Sequence, residues 1–280
     1  GEREQEEQGA KGEVNKVVAE VVKRVDAGTA GSVVYVAKEK LTRRDVTAVM
    51  QAVKRGWGTL SQGAAPASMV TKLFLGHDHI DDAAAGVLAA FIKQDLCALT
   101  ELRLHDNKIG DTGAASLGSA LHSNKKLSVL VLGGNNIGKL GAASLGLMLR
   151  FNGAVTDLDV SGNVLGDGGM GLLCDCLPAN RTLRNLHLAR NNISAEGLRK
   201  LGDALTGGSG LLRLNLGGNP LGGEGAKVLA EALQRRPMKI SHLHLGAAAV
   251  GDKGATSIAH MLLLNRSLTA LYLQGNGVSD

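Results

Sequence analysis

The chain is predicted to fold as an α/β solenoid, a right-handed horseshoe with parallel strands on its concave face and helices on its convex face. Three observations carry this. The pattern L-x-x-L-x-L-x-x-N-x-(I/L)-G-x-x-G runs from Leu99 through Leu102, Leu104, Asn107, Ile109 and Gly110 to Gly113. It returns at a spacing of 28 at Leu127, Val155, Leu183, Leu211, Ile240 and Leu268, with one residue added before Ile240. A fixed period of about 20 to 30 residues marks stacked units of one strand, a turn and a helix. Within each unit, apolar positions such as 102 and 104 alternate with polar 101, 103 and 105, as a strand with one buried face requires. Finally, 44% of residues are hydrophobic but only 2% aromatic, so Leu, Val, Ile and Ala of repeating shape tile the interior. The repeat makes the 280 residues one quasi-linear unit rather than two domains. Strands stack about 4.8 Å apart and helices about 8 to 10 Å, so the assembly bends with its strands inside.

Taken in order, residues 1–12 read as a polar, Glu-rich mobile tail. In 13–30, Val14, Val17, Val18, Val21, Val22 and Val25 recur at helical spacing, predicting an amphipathic helix that covers the head of the core. Residues 31–69 form a degenerate first repeat (Val34, Val36, Glu39, Leu41) with an inserted loop from Gly56 to Ser68, rich in Gly, Ser, Ala and Pro. The only tryptophan, Trp57, is read as packing its ring against the first helix. Regular repeats occupy 70–280, beginning at Val70, with Asp78 in the place of the first Asn.

Asn ends each strand where the chain turns, and its amide can both donate to and accept from backbone groups of the turn and the adjacent repeat. Six of eight frames carry it (Asn107, Asn135, Asn163, Asn191, Asn219, Asn276), while Asp78 and Ala248 depart. The turn from Gly246 to Val250 is therefore expected to be the softest in the ladder unless water or a neighbouring side chain substitutes. Gly113, Gly141, Gly169, Gly197, Gly225 and Gly254 recur where the helix begins, and a side chain there would hold the helix off the core.

The period, the strand motif and the G-x-x-G helix entry resemble the ribonuclease-inhibitor-like class of leucine-rich repeats, which includes the Ran GTPase-activating protein and the repeats of NOD-like receptors. The resemblance covers about Val70 to Asp280 and more weakly from Gly31. It implies the horseshoe fold and says little of function. Ribonuclease inhibitor itself is a poor match, because its repeat-placed cysteines and alternating repeat types are missing here. The strong acidic character typical of the Ran-activating family is missing too, and no local motif allows its functional residues to be carried over.

On the concave face the central strand position reads Phe74, Arg103, Val131, Asp159, His187, Asn215, His244, Tyr272. The position before it reads Lys72, Glu101, Val129, Asp157, Asn185, Arg213, His242, Ala270, and the one after reads Gly76, His105, Gly133, Ser161, Ala189, Gly217, Gly246, Gln274. Ser161, His187 and Asp159 have the residue types of a nucleophilic triad, but an open sheet supplies neither a water-excluding pocket nor a nucleophile elbow. Asp159 and His187 are read instead as a surface pair between neighbouring rungs. His242 and His244 lack a third ligand and read as polar binding surface rather than metal site. Val129 and Val131 leave one strand apolar, and Leu140, Leu147 and Leu172 add apolar positions on the helices, which predicts a contact patch. The expected protein-binding residues are thus Arg103, His105, Val129, Val131, Asp157, Asp159, His187, Arg213, His242, His244 and Tyr272, with Leu140, Leu147 and Leu172. No catalytic residue, cofactor or metal is expected.

Three cysteines (Cys97, Cys174, Cys176) without disulfide-like spacing favour a reducing, intracellular compartment, the cytoplasm first, with organelle or cilium left open. A net charge of +5 from basic pairs scattered over different repeats argues against nucleic acid, which would prefer a continuous basic stripe. No apolar run reaches the roughly 18 residues needed to span a bilayer. Asn180-Arg-Thr182, Asn192-Ile-Ser194 and Asn265-Arg-Ser267 match the glycosylation acceptor pattern but fall where the repeat calls for such residues. The sequence begins with Gly and stops at Asp280 before the last repeat's helix, so a longer chain or a partner subunit is expected to cover that end. The resulting expectation is a non-enzymatic scaffold for protein–protein interaction, a structural subunit of a larger assembly. The alternatives are a GTPase-activating regulator and a ligand-sensing domain like those of NOD-like receptors.

Overall fold

The computed structural model describes residues 15–27, 31–36, 40–58, 70–94, 97–206, 209–235 and 239–279, with the side chains of 56–58 set aside. The Glu-rich tail, Glu39, the Trp57 ring and the loop beyond residue 58 lie outside the described residues. Strands and helices alternate throughout: α1 (Lys16–Asp26), β1 (Val33–Tyr35), α2 (Arg43–Gly58), β2 (Lys72–Phe74), α3 (Asp82–Ile92), β3 (Glu101–Arg103), α4 (Asp111–Leu121), β4 (Val129–Val131), α5 (Lys139–Phe151). The second half repeats the scheme with β5 (Asp157–Asp159), α6 (Gly166–Cys174), β6 (Asn185–His187), α7 (Ala195–Thr206), β7 (Arg213–Asn215), α8 (Gly222–Gln234), β8 (His242–His244), α9 (Gly251–Leu264) and β9 (Ala270–Tyr272).

All nine strands form one parallel sheet in sequence order. Parallel neighbours need a crossover, and each helix after α1 supplies one, with successive helices packed side by side. The middle residue of every strand points inward in one column, Val34, Leu73, Leu102, Leu130, Leu158, Leu186, Leu214, Leu243 and Leu271. These meet helix residues such as Leu88, Leu117, Leu145 and Leu229 in a continuous buried core. At the head, α1 packs on α2. The Val stripe is narrower than its spacing implies, since Val18 and Val25 are buried, Val21 and Val22 partly so, and Val17 is exposed.

Polar joints hold successive repeats together. Asn163 shows the pattern: Nδ2 donates to Leu132 O of the preceding repeat and Val160 O of its own, both at 2.9 Å, while Oδ1 accepts from Ile137 N at 2.9 Å. The other five ladder asparagines make the same kind of bonds. Each oxygen therefore serves the turn before its own, which relocates the weak point. Ala248 N and Val250 N both donate to Asn276 Oδ1, so the turn from Gly246 to Val250 is held. The missing acceptor is felt one repeat earlier, where Leu221 N turns back to Asn219 O at 2.8 Å.

A second joint lies at the helix starts. The caps of α4 and α5 are Gly110 and Gly138, which have no side chain to offer. The carboxylate comes from the previous repeat. Asp82 Oδ1 accepts from Gly110 N and Gly113 N at 2.7 and 2.9 Å, and Asp111 Oδ1 from Gly138 N and Gly141 N at 2.7 and 2.8 Å. An acidic group there also suits the positive end of the helix. A Cβ on Gly113 or Gly141 would stand 2.6 or 2.7 Å from that carboxylate oxygen, so the glycine makes room for the joint as much as for the helix.

A third joint follows the helices. Asn152 and Asn180 donate to Leu121 O and Leu149 O, both at 2.6 Å, and each takes two backbone N–H groups of its own turn on Oδ1. Asn265 does likewise with Leu233 O. Two of the three glycosylation-like motifs thus begin with asparagines whose amides are engaged in holding the fold.

Candidate interaction surface on the concave face

The end residues of each strand point away from the core and stand in register across the sheet. Near the head, Tyr35 and Phe74 meet edge to face at 6.3 Å, and the Arg103 guanidinium lies 5.2 Å from the Phe74 ring centre. Glu101 is clamped between Arg103 and Lys72, the latter at 3.0 Å. Burial pushes its carboxyl up, but the hydrogen bonds and charges of Lys72 and Arg103 outweigh that and hold it below the ordinary value. Arg103 is thus stiffened by an acid and an aromatic ring.

Toward the centre, Val129 and Val131 are half-buried. Val131, Gly133 and Gly134 floor a shallow concavity of about 420 Å³, rimmed by Arg103, His105, Asp106, Asp159 and Arg190. Glycine at 133 and 134 leaves the backbone bare, so both signs of charge surround an apolar floor. Asp157 joins a polar chain across three strands, hydrogen-bonded to Asn185, whose Oδ1 accepts from Arg213 at 3.2 Å. Asp159 and His187 are register partners, yet among the described residues no ion pair joins them. Asp159 Oδ1 accepts instead from Ser161 N at 2.8 Å, in the turn just past its own strand. Among the described residues no hydrogen bond links the Ser161, His187 and Asp159 side chains as a triad requires.

Farther along, the His244 and Tyr272 rings stack at 4.0 Å with planes 7° apart. Burial, followed by the charges of His187 and His242, lowers the His244 pKa. His242 Nδ1 lies 2.9 Å from Ser241 Oγ. The eleven concave-face residues expected from the sequence therefore do share one surface. The three leucines do not join it. Leu140 and Leu147 are exposed on α5, across the core from Val129 and Val131, and Leu172 is only partly exposed. Phe151, at the end of α5, is a further exposed apolar residue on the same helix as Leu140 and Leu147. Cys97, Cys174 and Cys176 are buried free thiols. Burial pushes Cys176 up to about 12 and Cys174 well above its ordinary value, so neither is a nucleophile. Cys176 lies just past α6, its thiol bonded to Leu173 O, rather than on the helix.

A family model described as Leucine Rich repeat matches residues 96–118, 123–146, 155–174, 179–202, 211–230 and 264–280. The chain is a leucine-rich-repeat protein. The repeats beginning at Val70 and Ile240 fall outside the matched segments, and they are the two whose ladder Asn is replaced, by Asp78 and Ala248. Among solved structures, a leiomodin-1 chain titled "Actin-Binding Site 2 (ABS2)" aligns at 20% identity with TM-score 0.43, over 54% of this chain and 80% of its own. A tropomodulin C-terminal domain from Caenorhabditis elegans aligns at 13% identity with TM-score 0.41, over 57% and 90%. No curated protein sequence matches the chain.

In this leucine-rich-repeat protein, three features escaped the reading of the sequence. The aspartates at the helix starts (Asp82, Asp111, Asp167) and the asparagines after the helices (Asn124, Asn152, Asn180) recur at or near the 28-residue period, so the signal was available in the frame. The third is the residue after the third concave column. It reads His77, Asp106, Gly134, Gly162, Arg190, Gly218, Ala247 and Gly275, and all eight have positive φ. Side chains at the four non-glycine positions project from the rim of the concave face.

Proposed function

We propose that the protein is a non-enzymatic interaction module that binds another protein across its concave face, as a subunit of a larger assembly. The supporting observation is the central concavity, an apolar floor of Val131 and two glycines ringed by Arg103, Arg190, Asp106 and Asp159. An apolar centre with a charged rim is the anatomy of a protein interface, and stiffened Arg and Tyr side chains are the usual anchors. The exposed apolar side chains of α5 support a second contact on the convex side. Buried thiols fit a reducing, intracellular compartment, and among the described residues no helix is long and apolar enough to cross a membrane.

The test is cross-linking affinity purification from the native source with the protein as bait. Arg103→Ala, Asp159→Ala and Tyr272→Ala should each lose the recovered partner, while Lys200→Ala on the convex side retains it. Equal recovery with all four variants refutes a concave-face site. Stimulation of GTP hydrolysis by the purified protein would reassign it to the GTPase regulators.

A further inference from the structure

We propose that His77, His105 and Asp106 form a site for a divalent transition-metal ion of the zinc or cobalt type, on the rim of the concave face. Two imidazoles and a carboxylate are a donor set such ions take. One donor atom from each residue lies within 4.8 Å of the others. His77 Nε2 is 3.5 Å from Asp106 Oδ2, and the two imidazoles stand edge to face with centroids 5.1 Å apart. Bond lengths of about 2.0–2.1 Å put tetrahedral donors roughly 3.3 Å from one another. The His77–Asp106 pair is already at that spacing, and rotation of exposed side chains closes the rest.

The scaffold holds the donors in place. They come from two consecutive turns tied by His77 N donating to His105 O at 3.0 Å, and Asp106 N is fixed in turn to Gly133 O at 2.8 Å. Two glycines vacate the space the ligands occupy. A Cβ on Gly76 would stand 2.4 Å from two atoms of the His105 ring, and one on Gly134 would lie on top of Asp106 Oδ1. His77 and Asp106 also sit at φ +63° and +54°, at the turn position where four other repeats place glycine. Side chains held in that region mark sites where the strain is used. An ion pair between His77 and Asp106 accounts for one contact but leaves the edge-on His105 unexplained. The histidines farther along the sheet do not compete, since His244 stacks on Tyr272 and among the described residues no carboxylate completes a group with His187 or His242. Three protein donors leave a fourth position open, to be filled by water or by a donor from a molecule seated on the concave face. The site stands whether or not the concave face binds a protein.

The experiment is calorimetric titration of the full, tag-free chain with Zn²⁺, alongside Co²⁺ absorption spectra. One ion per chain is expected, with the intense visible bands of four-coordinate Co²⁺. His77→Ala, His105→Ala and Asp106→Ala should each weaken binding at least about tenfold, since loss of even an outer partner costs about 10- to 100-fold. The double variant His242→Ala/His244→Ala should bind as the parent does. Circular dichroism checks that each variant folds, and the exposed His77→Gln supplies the loss in a variant that leaves the core untouched. No binding by the parent chain, binding that survives His77→Gln, or binding lost in the His242/His244 variant overturns the proposal.

Discussion

Replacing Asn163 by Ala tests the joint that defines the stack. Four hydrogen bonds are removed, from Nδ2 to Leu132 O, Val160 O and Ser161 O and from Ile137 N to Oδ1. Their loss is unequal. Leu132 O keeps a donor from Asn135, and Val160 O keeps one from Asn191, both 2.9 to 3.0 Å away. Ile137 N keeps nothing, and an orphaned buried donor costs about 1 to 3 kcal/mol. The three carbonyl bonds, each still backed by another partner or a neighbouring turn, add roughly another 1 kcal/mol. The Ala248 frame shows the available relaxation, in which the amide folds back to a carbonyl two residues before it as Leu221 N does. The expected loss is therefore about 2 to 3 kcal/mol, read from the urea midpoint, with the Ile137 amide losing hydrogen-exchange protection while Ile109, held by Asn135, keeps its own. A loss below about 0.5 kcal/mol with Ile137 still protected would show that the ladder is not what joins the repeats.

Gly141→Ala places a methyl 2.7 Å from both Asp111 Oδ1 and Ile137 Cγ2. Despite alanine's better helix propensity it should cost about 1 to 3 kcal/mol, whereas Gly86→Ala, whose Cβ meets nothing within 4 Å, should stabilise by up to about 1 kcal/mol; paired thermal melts decide both. His244, with its pKa lowered from 6.5, disfavours protonation in the folded state. Its contribution is complete above 6.5 and is lost as pH falls through the lowered value, so the melting temperature should drop on acidification and the drop should shrink in His244→Asn.

The frame was legible in the sequence because burial imposes it. An aliphatic residue at the middle of each strand, Val34 in the first and Leu in the rest, points inward, and the register of all eight strand pairs follows from that. The concave-face list was legible for the same reason, since side chains alternate. What the residues did in that surface was less so. Asp159 has His187 as its register partner, yet its carboxylate accepts from a backbone amide two residues on, in the turn after its strand. At the turn from Gly246 to Val250 a neighbouring side chain does substitute, Asn276, because an Asn oxygen acts backward along the stack; that the unmet acceptor then falls one repeat earlier is something a motif read within a single repeat does not reveal. His77 and Asp106 stayed hidden because they occupy a turn position where glycine is usual, and their proximity exists only once two coils are superposed.

The backward reach of the asparagine oxygen gives the stack a polarity. Peeling away a coil on the C-terminal side takes the acceptor from the turn left behind and hands that turn's amides to water. Peeling one from the other side breaks the same joint from its opposite half: Asn107, for example, would lose its donated bond to Leu75 O and both amides its oxygen accepts, from Asp78 and Ile80, but keep its bond to Leu104 O in its own turn. The two ends therefore fray differently, one exposing backbone amides and the other a side chain still anchored to its own coil.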